Sequence, residues 1–164
     1  MGSEMCIRDS FNTTDKNHLS YYSRTASTSD FVNYVIGAQD SGKLSALILR
    51  NTNKITTLSY STNSFYLAQN TASLPVSGFF MGNAYGTDVN IFKNGTKIGQ
   101  NTTSGTFGLP TIQLFKGASN SGTNTSPTTA ECAFASVGYG LSDSESSTFY
   151  TIVQTLSLIH ISEP

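Results

Sequence analysis

The sequence predicts an all-β protein, a two-sheet antiparallel β-sandwich of the jelly-roll kind with a short C-terminal α-helix. Three observations carry that expectation. Roughly eight to ten short runs of alternating or β-branched residues are divided by turn signals about every 8–12 residues, the spacing of sandwiches and jelly rolls. The dipeptide Asn94-Gly95 stands between two such runs, and it is the strongest short hairpin signal because a type I′ turn needs positive φ at both central residues. Residues 131–154 then read as strand, tight turn and helix.

The two ends stand apart from this pattern. Residues 2–10, Gly-Ser-Glu-Met-Cys-Ile-Arg-Asp-Ser, back-translate to a DNA sequence whose reverse complement encodes Leu-Ser-Leu-Ile-His-Ile-Ser-Glu-Pro, residues 156–164. One DNA segment read on opposite strands accounts for both, and it resembles the transposase adapter of sequencing libraries. Residues 1–10 and 156–164 are therefore expected to be adapter-derived and outside the domain. Residues 11–155 are expected to be a single sandwich domain truncated at its N-terminus.

Within 11–155 stand seven acidic residues, eight basic ones, one cysteine (Cys132) and one histidine (His18). That balance leaves no basic footprint for nucleic acid. No window is apolar and long enough to insert in a membrane. A single cysteine makes no intrachain disulfide, and in an apolar strand it reads as a small core hydrophobe. The abundance of Ser, Thr, Asn and Gly suits a surface-exposed β module.

Taken in order, residues 18–25 (HLSYYSRT) have the aromatic and hydroxyl content of a strand. Residues 30–40 alternate Tyr34, Ile36 and Ala38 against Val35, Gly37 and Gln39, then turn at Asp40-Ser41-Gly42. Residues 43–50 (KLSALILR) are apolar on both parities and read as a central strand, whereas 54–60 read as an edge. Residues 64–68 make a short strand or loop, and 77–82 another strand. A two-residue loop at Asn94-Gly95 sets Phe92 opposite Lys97 and Ile91 opposite Ile98. Residues 101–110 and 119–130 read as Ser/Thr/Asn/Gly loops, the second long for a compact domain.

The 131–137 run is apolar on both faces, with Cys132 and Phe134 on one side and Ala133, Ala135 and Val137 on the other, as a covered central strand requires. Ser142 followed by Glu145 is a capping box. Phe149, Ile152 and Val153 then fall on one helical face, which Leu156 extends.

Three of these motifs carry a resemblance. Leu141-Ser142-Asp143-Ser144-Glu145 resembles the "Leu-Ser-Asp-Ala-Glu" that opens a short helix at the end of laminin-G-like and concanavalin A-like jelly rolls. Asp88-Val-Asn-Ile-Phe-Lys-Asn-Gly-Thr-Lys-Ile-Gly99 is similar to the family's "Asp-x-x-x-Tyr-x-Asn-Gly" hairpin, and Ile112-Gln-Leu-Phe-Lys-Gly-Ala118 to the "x-Leu-x-Ile-Gly" strand after it. The family's usual "Trp-x-His" strand is represented by Gly78-Phe-Phe-Met-Gly82, and the chain has no Trp. The resemblance implies a non-catalytic laminin-G-like module, adhesive or structural, in a larger cell-surface, secreted or phage-tail protein. Its setting would be extracellular, at a cell surface or on a virion. A carbohydrate-binding lectin is the alternative, and a glycoside hydrolase the third.

Candidate sites follow from chemistry. Hydrolysis of a glycosidic bond needs two carboxylates, about 5–5.5 Å apart for retention or about 6.5–9.5 Å for inversion. The fragment offers only Glu131 and Glu145 as glutamates, and Glu145 is already a helix cap; its aspartates lie singly at turns. No catalytic residue is therefore assigned. His18 reads as a surface or edge histidine with no Gly-x-Ser-x-Gly elbow to serve. Sugar binding needs an aromatic platform with amide and carboxylate partners. Asn83, Tyr85 and Asp88 form such a set beside the hairpin, with Phe65-Tyr66 as a second platform. No cofactor is required. The family's calcium ion at a loop rim would take the oxygen donors of Asp88, Asn90 and Asp40. The partners expected are a glycan or another surface protein, with no nucleic acid and no membrane insertion.

Overall fold

The computed structural model describes residues 17–25, 35–40, 43–49, 56–62, 65–70, 74–102, 115–116, 119–120 and 130–161. Eleven strands and one helix follow in chain order: β1 (Asn17–Ser23), β2 (Ile36–Asp40), β3 (Lys43–Ile48), β4 (Thr56–Thr62), β5 (Phe65–Asn70), β6 (Gly78–Tyr85), β7 (Asp88–Lys93), β8 (Thr96–Asn101), β9 (Phe115–Lys116), β10 (Ser119–Asn120), β11 (Cys132–Tyr139) and α1 (Asp143–Ile161). They make a five-stranded sheet of order β11-β1-β6-β7-β8 and a six-stranded one of order β10-β2-β3-β4-β5, with β9 also on β2. Every described pair is antiparallel except β10 with β2. β2 and β3 pack over β1, β4 over β6 and β7, and β5 over β7 and β8. The two-sheet antiparallel sandwich with a C-terminal helix is the fold that the alternation and turn spacing predict.

Burial is organised in two layers. Between the sheets lie Leu19, Tyr21, Phe80, Val89 and Ile91 from one sheet against Val35, Ile36, Leu47 and Leu49 from the other. On the outer face of the five-stranded sheet, Phe79, Met81 and Phe92 pack with Val153 of α1, flanked by Tyr22, Phe134, Leu141, Phe149 and Tyr150. β6 serves both layers, so Phe79, Phe80 and Met81 are each fully buried. At roughly 1.5–3 kcal/mol per large apolar side chain, such a strand is where burial concentrates.

The turns set the registers. Asn94 (φ 48°) and Gly95 (φ 76°) both lie in the left-handed region, as a type I′ loop demands. Phe92 stands opposite Lys97, but Ile91 stands opposite Gly99, not Ile98, because the register shifts there. Ile98 is the extra residue of a bulge, which keeps it packed on the inter-sheet core and leaves Gln100 opposite Asn90.

A second bulge corrects the reading of residues 131–137. Tyr22 pairs Phe134 while Ser23 pairs Cys132, so Ala133 is the inserted residue, exposed at the surface. The shift carries Cys132 to the inter-sheet core with Ala135 and Val137 and leaves Phe134 under the helix. β11 is also not central: it ends the five-stranded sheet beside β1. Both its faces are apolar because one meets the core and the other the helix layer. Conversely β4, read as an edge, lies between β3 and β5, since 65–70 forms a full strand in register with it.

The helix starts as its capping box directs. Glu145 Oε2 accepts from the Ser142 backbone N–H (2.8 Å) and from Ser142 Oγ (2.7 Å), while Glu145 N–H donates back to Ser142 Oγ at 3.4 Å. The buried face is Ser146 and Val153 with Phe149 and Tyr150 beside them. Ile152, expected on that face, is 52% exposed, and Leu156 is 47% exposed. Centring the stripe on Val153 puts Phe149 and Tyr150 at i−4 and i−3 and turns Ile152 outward. The first turns of α1 are pinned by Lys97–Asp143 (2.6 Å) and by Ser147 Oγ donating to the Gly95 carbonyl (2.8 Å).

Candidate functional site

Strand alternation gathers Asn83, Tyr85, Asp88 and Asn90, four of the residues singled out in the sequence, onto one face at one end of the five-stranded sheet. The two-residue link Gly86-Thr87, with Gly86 at φ 64°, folds β7 back on β6. Register then sets Tyr85 directly across from Asp88 and Asn83 across from Asn90. His18 lies opposite Asn83 on β1 and touches the ring of Phe149, so this is the face that carries α1. Gln100 lies across from Asn90 on β8.

The members of this set have different fates. Tyr85 is 45% exposed at the end of β6. Asp88 beside it is held from both sides: Oδ1 accepts from Thr87 Oγ1 at 3.1 Å and Oδ2 from Gln100 Nε2 at 2.9 Å. Asn83 is fully buried. Its Nδ2 donates to the Leu141 carbonyl (2.5 Å) and its Oδ1 accepts the Leu141 N–H (2.9 Å). The amide thus acts as one rung of β-pairing that holds the chain just before α1 to the sheet. Asn90 is buried too, and its Oδ1 has no hydrogen-bond partner among the described residues. What remains outward is an aromatic ring, an oriented carboxylate, a hydroxyl and a primary amide: Tyr85, Asp88, Thr87 and Gln100. Thr87 and Gln100 were not singled out in the sequence, and Gln100 reaches Asp88 in the register that follows the Ile98 bulge.

Of the calcium set, Asp88 and Asn90 share one strand and Asp40 belongs to another. Asp40 ends β2 in the six-stranded sheet, its backbone paired with Lys43, while Asp88 and Asn90 belong to β7 in the other sheet. β2 packs over β1 whereas β7 packs against β4 and β5. Among the described residues no cluster of three or more His, Cys, Asp or Glu is placed to hold a metal. The Asp40 side chain and the Phe65-Tyr66 side chains lie outside the described residues, as do residues 1–16.

His18 is a second polar centre, and here the structure departs from the surface histidine expected. It is 6% exposed. Nδ1 lies 2.7 Å from the Tyr139 carbonyl and Nε2 lies 3.1 Å from Ser136 Oγ, which is itself 2.6 Å from Ser20 Oγ. Burial lowers the His18 pKa from its ordinary 6.5, against the opposing pull of the Tyr139 bond. Cys132 packs against the core beside Tyr21, whose hydroxyl donates to the Ala130 carbonyl at 2.7 Å. Burial first, and the thiol second, push that phenol well above its usual range. Among the described residues no helix is long and apolar enough to cross a membrane.

No family model matches the chain, and no curated protein does. Solved structures do. Domain 4 of AbnA, a GH43 extracellular arabinanase from Geobacillus stearothermophilus, in complex with arabinotriose, superposes with a TM-score of 0.59 at 13% identity, over 85% of this chain and 68% of that one. A native heptameric SAP-like pentraxin from Limulus polyphemus superposes with a TM-score of 0.52 at 11% identity, over 84% and 70%. At such identities the likeness speaks to the fold alone, a β-sandwich of the jelly-roll type that fits a concanavalin A-like architecture.

Proposed function

We propose that the chain is a non-catalytic, laminin-G-like β-sandwich module of a larger secreted or surface-displayed protein, and that it binds glycan at the β6–β7 end of the five-stranded sheet. The observation that carries this reading is the outward set at that end. Tyr85, 45% exposed, offers aromatic surface to the apolar side of a sugar, while Asp88, held by Thr87 and Gln100, offers a fixed acceptor for sugar hydroxyls. Preorganisation of the carboxylate removes part of the ordering cost of binding. The arabinotriose bound by the arabinanase domain supports asking for a neutral oligosaccharide first.

The test is a glycan array with the intact chain, followed by titration calorimetry on the best ligand. Tyr85→Ala is expected to weaken binding by roughly tenfold, the scale of one lost aromatic contact, in protein whose circular dichroism remains native. An array on which the folded protein retains nothing, or a Tyr85→Ala variant of unchanged affinity, overturns the site.

A further inference from the structure

The His18–Ser136–Ser20 chain is built with more care than a structural hydrogen bond requires. A carbonyl oxygen only accepts, so the proton on His18 must sit on Nδ1, facing Tyr139, and Nε2 of the neutral ring is bare. Ser136 Oγ, 3.1 Å away, therefore donates to Nε2 and accepts from Ser20 Oγ. One lone pair of Ser136 Oγ is left. Ser20 is fully buried, whereas Ser136 is only half-buried, so of the two serines Ser136 is the more accessible.

The imidazole is also walled in. The Phe149 ring lies 5.3 Å from it on the α1 side. Gly138 leaves room for it on β11: a Cβ there would stand 2.5 Å from His18 Cε1. A hydroxyl bonded to a base, with the base oriented by a third group, is the arrangement of an activated nucleophile.

We propose that Ser136 is a histidine-activated acyl acceptor, taking one acyl group from carboxylic esters that carry a good leaving group. Ser136 Oγ bonds to the ester carbonyl carbon and its proton passes to His18 Nε2. The carbon–oxygen bond to the leaving group then breaks, and the alcohol departs with the proton from Nε2. The product is a seryl ester and a neutral His18. Ser20, donating to Oγ, holds the Ser136 hydroxyl in the orientation that keeps its proton directed at His18 Nε2. The acceptor is consumed once per chain, and the assignment is independent of the glycan site.

The probe is p-nitrophenyl acetate on the whole chain, with the acetyl group located by peptide mass spectrometry. Folded protein is expected to release about one equivalent of p-nitrophenolate and to carry acetyl on Ser136. The expected rate is at least roughly 100-fold above that of the same serine in urea, the lower end of what a positioned general base contributes. Ser136→Ala removes the adduct, and His18→Gln, checked for native circular dichroism, slows it by a similar factor. In the unaltered protein the rate falls to half at a pH below 6.5, following the lowered His18. Acetyl found only on lysines, or Ser136 acetylated no faster folded than unfolded, overturns the proposal, as does a rate that rises with hydroxide without inflection.

Discussion

Replacing Asn83 by alanine removes a side chain that makes both its hydrogen bonds to one residue, Leu141, while fully buried. A neutral hydrogen bond contributes a net of about 0.5–1.5 kcal/mol, and a buried partner left unsatisfied costs about 1–3 kcal/mol. Leu141 is only half buried, so water satisfies part of what the amide leaves. The expected loss is about 2–3 kcal/mol, or a fall in Tm of roughly 5–10 °C for a domain of this size. Urea denaturation followed by far-ultraviolet circular dichroism gives the midpoint, and hydrogen exchange gives the location. Protection should fall first in the first turn of α1 and at Leu141. The proposed sugar affinity should survive in the folded fraction because the hydrogen bonds that hold Asp88 come from Thr87 and Gln100, and not from that amide. A variant with an unchanged midpoint, or one that loses sugar binding without losing stability, would refute the assignment of Asn83 as a clamp.

Two further expectations concern charge and caps. Ser142→Ala removes the hydroxyl that Glu145 shares and is expected to cost about 0.5–2 kcal/mol by chemical denaturation. The Ser142 bonds hold the Glu145 carboxyl below its ordinary 4.5, so the cap's contribution is present above that value and is lost as pH falls through the lower folded pKa, a dependence that Ser142→Ala should flatten. His18 has the opposite proton balance to a salt-bridged histidine. Its folded pKa is lowered, so the unfolded chain binds more protons between the two values and stability rises with pH there. The domain should be at full strength above about pH 6.5 and weaken below it. Melting temperatures across that range check the sign, and a stability that increases on acidification contradicts it.

The parts legible in the sequence were those governed by neighbours in the chain. Asn94-Gly95 announced its turn because positive φ at two successive positions is a local demand, and Ser142 with Glu145 announced a helix start for the same reason. The bulges were not legible. Ala133 and Ile98 are inserted because of what lies across the sheet, Ser23 and Tyr22 in one case and Ile91 in the other, and alternation alone cannot say where a register slips. One slip moved Cys132 to the other face, and the second brought Gln100 opposite Asn90. The face of α1 was misjudged for a related reason. Phe149, Ile152 and Val153 are a valid helical stripe, and only the packing of Tyr150 on Phe79 and Gly95 decides that the stripe is centred one residue further on. Of the site, Asn83, Tyr85 and Asp88 were legible as a set, but the pairing of Tyr85 with Asp88 comes from the Gly86-Thr87 link, which was not read as a turn, and the burial of Asn83 depends on a loop some sixty positions away, Leu141 being 58 residues on.

The place of β1 has a kinetic consequence. It is the first strand described and sits second from one side of its sheet, between β6 and β11, while its bond from His18 to Tyr139 spans 121 residues. Among the described strands, the pairs β2-β3, β3-β4, β4-β5, β6-β7 and β7-β8 are hairpins that form as soon as they are made. β2 waits on one side for β9 and β10, but β1 must wait for the chain to return on both its sides, and α1 cannot settle over the outer face until it has. Ribosomes add about 5–20 residues per second, so for several seconds a nascent chain carries Tyr22 and His18 uncovered beside assembled hairpins. Closure of so long a loop belongs to the slow, millisecond-to-second class of β folding, and the exposed interval is when this domain is most open to pairing with another chain in place of itself.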